Sequence, residues 1–211
     1  MLGVVLAAAA VAAVPVHREV IGHSARGRAI LAVAVGEPSA KTKVLVVGCI
    51  HGNEGAGIPI ALRLERMIPP KGVQLWIVPD LNPDGHAAGT RQNAHGVDLN
   101  RNWPVGWRRQ RGGLFDSGPR PLSEPETQAA RRLILRVRPD VSIWYHQHLR
   151  VVDESGGEVS VERRYAQLVG LPARRLLPLL PGTAVRSPNG YVSSAPGYEA
   201  HVARSRSRST S

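Results

Sequence analysis

Three side chains in this sequence have the types and the settings to hold one metal ion. His51 follows an apolar run over 44–50, and Glu54 stands three residues beyond it in His51-Gly-Asn-Glu54. His146 closes a second apolar run over 141–145. Two imidazoles and one carboxylate are a known catalytic zinc set, with the fourth position left open for water. The competing reading of the first pair is a loop histidine near a helix N-terminus, where the helix dipole favours a carboxylate such as Glu54. His148 competes with His146, because alternation along a strand puts both on one face. His146 is preferred because the strand leads directly into it. His17, His23, His86, His95 and His201 lack a comparable setting and are read as surface or turn residues.

The elements that must position these groups follow from the apolar pattern. A continuous β-branched run such as 44–50 is the mark of a buried parallel strand. In open α/β sheets, ligands bind just outside the carboxyl ends of the strands, which is where His51, Glu54 and His146 fall. Residues 55–68 alternate apolar and charged positions at helical spacing and stop at Pro69-Pro70, predicting an amphipathic helix. Strands are expected over 29–35 and 73–78, so that strand, helix and strand form a right-handed βαβ unit. Residues 79–121 are rich in Asn, Gly, Pro and Arg and are expected to be a functional loop, with Asn82-Pro-Asp-Gly85 as a turn. Ser123-Glu-Pro-Glu126 has the form of a capping box, with Ser123 as N-cap, opening a helix to about residue 137. A last helix is expected over 159–169.

Composition bounds the function classes. A chain of 211 residues, 43% hydrophobic and 20% charged, is one globular domain with a sizeable core. Aromatic content of 4%, with one phenylalanine, rests that core on Val, Leu, Ile and Ala. The net charge of +11 permits an anionic partner. The arginines are spread along the chain with no aromatic interleaving, so no nucleic-acid partner is expected. Cys49 is the single cysteine, which rules out an internal disulfide framework. It lies in the apolar run and is read as a small core residue. Residues 1–14 are read as a signal or leader segment, with Val11-Ala12-Ala13 resembling a cleavage site, although a positive n-region is missing. A misplaced start and a first buried strand are the alternatives. The segment is too short for a stable membrane anchor, and export to the periplasm or medium is favoured over a cytoplasmic location.

Taken in order, His51-Gly-Asn-Glu54, Asn82-Pro-Asp-Gly85, Asp98-Leu-Asn-Arg-Asn-Trp103, Ser123-Glu-Pro-Glu126 and the strand-end His146 resemble the zinc metallocarboxypeptidases. The likeness is greatest to their compact bacterial branch, which includes murein peptide amidases. It covers roughly residues 20–185 by motif position. The resemblance implies an α/β fold with a mixed, mostly parallel sheet flanked by helices, and a domain over 15–185. It implies that His51, Glu54 and His146 bind one Zn2+, that Arg91 steadies the oxyanion, and that Asn100 and Arg101 grip the substrate's terminal carboxylate. The expected substrate is a peptide or muropeptide, hydrolysed at an amide bond next to a free carboxylate. The chemistry of the residues agrees. An arginine fork matches a carboxylate bidentately, and a cation beside developing negative charge favours the transition state over the ground state. Asn102 and Trp103 are read as scaffold.

The sequence departs from the family at its end. The family's general base is a glutamate on a late strand, within an apolar run resembling Val-Val-Glu-Leu. Here residues 186–211 end in Arg204-Ser-Arg-Ser-Arg-Ser-Thr-Ser211, a low-complexity tail not expected to add a strand. The last strand is therefore expected to be missing or altered. Glu199 is the last carboxylate and stands roughly where the base falls, on flanks unlike the family's. If the tail is written in GC-rich codons such as CGG-TCG-CGG-TCG-AGG, reading it out of frame would give Ala-Val-Ala-Val-Glu, much like the missing strand, and a frameshift origin is then the hypothesis for the tail. Two alternatives to the hydrolase stay open: a base-less zinc-binding relative that holds peptide or cell-wall fragments, and a basic binder of nucleic acid or anionic polymer.

Overall fold

The computed structural model describes residues 14–147, 150–154, 159–175 and, by its backbone, 199–204. An eight-stranded mixed sheet runs through the molecule in the order β1-β2-β4-β3-β5-β8-β6-β7. Its strands are β1 (Val16–His23), β2 (Ala29–Val35), β3 (Thr42–Val47), β4 (Val73–Val78), β5 (Val141–Tyr145), β6 (Val151–Asp153), β7 (Ala173–Arg174) and β8 (Glu199–Arg204). The helices are α1 (Gly57–Leu64), α2 (Pro83–Ala88), α3 (Pro125–Val137) and α4 (Val159–Val169). This is the expected α/β architecture. The leader expected over 1–14 lies, but for Val14, outside the described residues, as does His148.

The centre of the sheet is parallel. β3 pairs with β4 on one side and with β5 on the other, both in parallel register, with Val47 opposite Val78 and Trp144. All three strands are rich in β-branched and aromatic residues, which suit a sheet covered on both faces. Alternation along β3 feeds two cores. Leu45 and Val47 pack with Ile30, Leu133, Ile134, Trp103 and Trp144 beneath α3. Val46 packs with Val33, Ile77, Ala61 and Tyr145 beneath α1. α3 buries Ala129, Ala130, Leu133, Ile134 and Val137, a stripe at helical spacing. Trp103 meets Trp144 edge to face at 5.7 Å and 90°, a geometry worth about 0.5–1.5 kcal/mol beyond burial.

Several expected boundaries move for identifiable reasons. β3 ends at Val47 rather than at residue 50 because the chain turns at Gly48, although Gly48 N still donates to Val78 O at 2.9 Å and Leu81 N to Cys49 O at 2.8 Å. α1 is shorter than 55–68; its last residues tighten into i→i+3 turns, Arg66 N to Arg63 O and Met67 N to Leu64 O, before Pro69 disfavours helical φ/ψ at Ile68. The capping box does not form. The N-cap of α3 is Glu124, with no side-chain cap bond. Ser123 Oγ donates to Glu124 Oε1 and accepts from Asn102 Nδ2, and Glu126 takes Ala25 N and Asn93 Nδ2 instead. Buried amides from other segments displace the local box because they too need partners. Residues 199–204 also depart from the strandless tail expected over 186–211. They form β8, antiparallel to β5 and parallel to β6. The segment Glu-Ala-His-Val-Ala-Arg ends before the Ser-Arg repeat, and it gives β5 and β6 backbone partners that they would otherwise lack.

Candidate metal centre

His51 and Glu54 are brought together by one tight turn at the end of β3, closed by Glu54 N donating to His51 O at 2.9 Å. Gly52 lets this turn lie directly against the Gly85–His86 backbone. A Cβ there would fall 1.9 Å from the carbonyl carbon of Gly85. His146 arrives from the end of β5, the parallel neighbour of β3. The three donor atoms converge. His51 Nδ1 lies 2.9 Å from Glu54 Oε2, His146 Nδ1 lies 2.9 Å from the same oxygen, and the two Nδ1 atoms are 3.1 Å apart. All three residues are buried, at 1%, 6% and 5% exposure. Around a tetrahedral zinc with bonds of about 2.0–2.1 Å, donors stand ~3.3 Å apart. The observed spacing needs only a few tenths of an ångström of opening, so the residues fit a zinc ion. Among the described residues this is the one group of three or more His, Cys, Asp or Glu able to hold a metal.

Asp98 organises the surroundings. Its Oδ1 meets His51 Nε2 at 3.0 Å and accepts Asn100 N at 2.8 Å, and its Oδ2 accepts Arg91 Nε at 2.9 Å. Arg91 closes the ring by donating from Nη1 to Glu54 Oε1 at 3.0 Å. A carboxylate on the remote nitrogen of a metal-binding imidazole fixes its tautomer and orientation. Burial opposes ionisation of Asp98, yet the charges of His51, Arg91 and Arg101 hold its carboxyl well below the usual carboxylate range. Glu54 is likewise buried and likewise held low, by His51 and His146. Both carboxylates are thus acceptors only. Gln147 braces Glu54 from the other side, with its backbone N–H on Oε2 at 3.1 Å and its side-chain carbonyl on Ala56 N at 3.0 Å.

The remaining predicted residues fall around this centre. Asn100 and Arg101 occupy a 3-10 turn, Leu99–Arg101, and both are buried. Arg101 N donates to Asp98 O at 2.8 Å, and its Nη1 donates to Asn100 O at 2.8 Å. Glu199 begins β8. Its backbone pairs with Val151, and Ala200 stands opposite Tyr145, so Glu199 enters the sheet at the end of β5 that carries His146. Asn102 and Trp103 are scaffold, as expected. Asn102 Nδ2 donates to Ser117 O, Arg120 O and Ser123 Oγ, while its Oδ1 accepts Glu124 N and Thr127 Oγ1. Cys49 is buried with its thiol pushed far up by burial and by Asp80, and its Sγ donates to His51 O at 3.1 Å. That is no setting for a nucleophile.

Two positions carry weight that the sequence reading did not assign. Asp98 was visible only as part of a motif. Asn82, expected as a turn residue, is a clamp. Its Nδ2 donates to Ile50 O at 3.2 Å and Arg91 O at 3.4 Å, and its Oδ1 caps α2 through Gly85 N. It thereby fixes the His51 turn against the Arg91 segment. An Asn before Pro-Asp-Gly signals an N-cap with proline at N1, and that signal could have found α2.

Comparison with known proteins agrees with this geometry. Residues 9–153 match the family described as zinc carboxypeptidase, a match that begins within the stretch expected as a leader. Murein peptide amidase A of Escherichia coli K12 is 30% identical over 155 residues, covering 67% of this chain and 64% of that protein. The chain therefore spans somewhat less than two thirds of that relative's length. Carboxypeptidase SOL1 of Arabidopsis thaliana is 29% identical over 161 residues, covering 69% of this chain and 32% of its own. Among solved structures, the murein-tripeptide amidase of Escherichia coli O157 superposes with a TM-score of 0.67 at 28% identity, over 82% of this chain and 78% of that one. Carboxypeptidase A of Helicoverpa armigera shares the fold, with a TM-score of 0.72 at 18% identity over 88% of this chain and 58% of its own.

Proposed function

The chain belongs to the zinc carboxypeptidase family, and on that premise we propose that it hydrolyses a peptide or amide bond next to a free carboxylate. The observation that carries this reading is the convergence of His51, Glu54 and His146 within hydrogen-bonding distance, with Arg91 bound to the outer oxygen of Glu54. A zinc ion in that donor set supplies Lewis acidity, polarising an amide carbonyl and making water a stronger nucleophile.

The chain's own residues do the rest. Arg91 is held by Glu54 and Asp98 with its guanidinium beside the metal donors. A fixed cation there stabilises the oxyanion that develops from the scissile carbonyl. Arg101 and Asn100 anchor the substrate's terminal carboxylate, and the 3-10 turn bonded to Asp98 sets their distance from the metal donors. Glu199 is the proposed general base; its register beside the end of β5 supports the assignment. The relatives' names, a murein peptide amidase and a carboxypeptidase, support peptides and muropeptides as the substrate class.

The test pairs metal analysis with two substrates. An N-acylated dipeptide with a free terminal carboxylate is offered beside its terminal amide, with the chain as purified, chelated and reloaded with zinc. One zinc per chain is expected, with cleavage of the free acid and not of the amide, and loss of both zinc and cleavage in His51→Ala and His146→Ala. Glu199→Gln is expected to keep zinc and lose turnover. Hydrolysis that survives chelation refutes the reading. Zinc uptake without turnover moves the base-less binding relative ahead. Salt-sensitive polymer binding that survives both chelation and His51→Ala selects the basic binder.

A further inference from the structure

Arg91 and Arg101, ten residues apart in the chain, face the same aromatic ring. The Cζ of Arg91 lies 5.3 Å from the centroid of Phe115, and the Cζ of Arg101 lies 5.2 Å from it. Phe115 is the only phenylalanine in the protein. Its ring is partly open, at 39% exposure, and it lies outside the hydrophobic core clusters, against two cations.

The segment that carries the ring is bonded to both arginine-bearing segments. Gln92, next to Arg91, donates from Nε2 to Gly113 O at 3.0 Å. Asp98, three residues before Arg101, donates its backbone N–H to Asp116 O at 2.8 Å. Asp116 in turn closes its own turn by accepting Gly112 N and Gly118 N. Phe115 is thus fixed relative to both guanidinium groups by backbone and side-chain hydrogen bonds, while its ring supplies the surface on which they rest. A guanidinium within about 6 Å of a ring centroid is attracted by the ring's negative face. One ring that holds two like charges also opposes their mutual repulsion and fixes the gap between them.

We propose that Phe115 is a positioning residue for substrate recognition: it sets the spacing between the guanidinium that meets the reacting carbonyl and the guanidinium that meets the terminal carboxylate. This rests on the roles given above to Arg91 and Arg101. The consequence is a fixed distance between scissile carbonyl and free carboxylate, which selects substrates with the carboxylate on the residue just beyond the cleaved bond. The exposed part of the ring then lies along the substrate's path.

The experiment compares Phe115→Leu, which keeps an apolar side chain without a π face, with Phe115→Tyr, which keeps the ring. Each is loaded with zinc and assayed for hydrolysis of the free-acid substrate and, by calorimetry, for binding of N-acetylalanine. Two exposed cation–π contacts correspond to about a five- to thirtyfold effect. Phe115→Leu is expected to lose that much kcat/KM, shared between a higher KM and a lower kcat, and to bind N-acetylalanine at least about fivefold more weakly. Phe115→Tyr is expected to stay within about twofold of wild type in both assays, with zinc stoichiometry and Tm unchanged. A Leu variant equal to wild type, or a Tyr variant as impaired as Leu, overturns the proposal. A wild-type chain that binds N-acetylalanine without hydrolysing anything removes the hydrolase reading alone, and the binding series still decides on Phe115. A zinc-loaded wild type that does not bind the carboxylate at all overturns the role of Arg101 and this inference with it.

Discussion

Replacing Asp98 is the sharpest probe of how the metal centre is organised. The carboxylate is fully buried. It meets His51 Nε2 at 3.0 Å and Asn100 N at 2.8 Å through one oxygen, and Arg91 Nε at 2.9 Å through the other. Asp98→Asn keeps the shape. Its amide oxygen can still accept from His51 and Asn100, but its NH2 faces the Arg91 N–H, donor to donor, and the negative charge behind His51 is gone. Asp98→Ala removes orientation and charge together. Loss of such an outer partner costs about 10–100-fold in metal affinity, about 1.4–2.8 kcal/mol. The Asn variant is expected near the lower end and the Ala variant near the upper. Zinc competition against a chromophoric chelator measures both. A further signature follows from Arg91: with its Nε bond lost, kcat should fall more than zinc occupancy explains, even at saturating zinc. Zinc affinities of both variants within about twofold of wild type would refute the reasoning, because Asp98 would then be an ordinary buried acid beside the site.

Three other outcomes are expected. Gly52→Ala forces a Cβ to 1.9 Å from the Gly85 carbonyl carbon and 2.2 Å from His86 N. Backbone lies on that side, so the change should cost about 3 kcal/mol or more in urea unfolding and spoil zinc uptake; a fully stable, zinc-loaded variant would contradict the turn geometry. Arg101→Lys keeps the charge but loses the fork, and KM for a free-acid substrate should rise about tenfold or more, with zinc content unchanged. Burial pushes the Glu126 carboxyl above its ordinary value; Glu124 adds to the shift, and the Ala25 N–H and the Asn93 amide oppose it. A raised acid contributes stability below its unfolded value and loses it as pH rises through the folded one. Between about pH 4 and pH 7, wild type should therefore lose Tm relative to Glu126→Gln; parallel curves for the two would exclude the shift.

Much of the frame was legible because its strands are apolar runs with no other use. β2, β4, β5 and α4 occupy the residues expected of them, since Val, Ile and Leu at those spacings leave one solution. β1 was missed because it is an edge strand whose Val16 and Val20 are about half exposed, with His17, Arg18 and Glu19 between them. No burial pattern marks such a strand. α2 was hidden in a Pro-Asp-Gly composition that signals a turn equally well. The false capping box shows the opposite failure. Ser123 and Glu126 have the right types at the right spacing, but Asn93, Asn102 and the Ala25 N–H, all distant in sequence, compete for them. A local motif is overruled when buried donors elsewhere need the same acceptors.

The site divides along the same line. His51, Glu54 and His146 could be picked out because few side chains ligate zinc and because all three follow apolar strand-forming runs. Asp98, Asn82 and Phe115 could not, since a buried aspartate, a turn asparagine and a loop phenylalanine have many ordinary uses. What distinguishes them is whom they touch. The sheet supplies that information. β3 and β5 are parallel neighbours in register, Val47 opposite Trp144, so their ends open on the same side. His51 and His146 leave the two ends on different paths, His51 after the turn at Gly48 and His146 two residues past Trp144. The Asn82 clamp and the Asp98 hub then decide where the His51 turn comes to rest. A shift of one residue in that register would send His146 to the opposite face of the sheet. The same shift would carry Trp144 away from Trp103 and out of the α3 core. The metal geometry is therefore tied to the packing of the largest side chains of the core. Packing sets the register of β3 and β5, the hydrogen bonds of Asn82, Asp98 and Gln147 set the turns, and together they bring three donors from two distant stretches of chain within about 3 Å of one another.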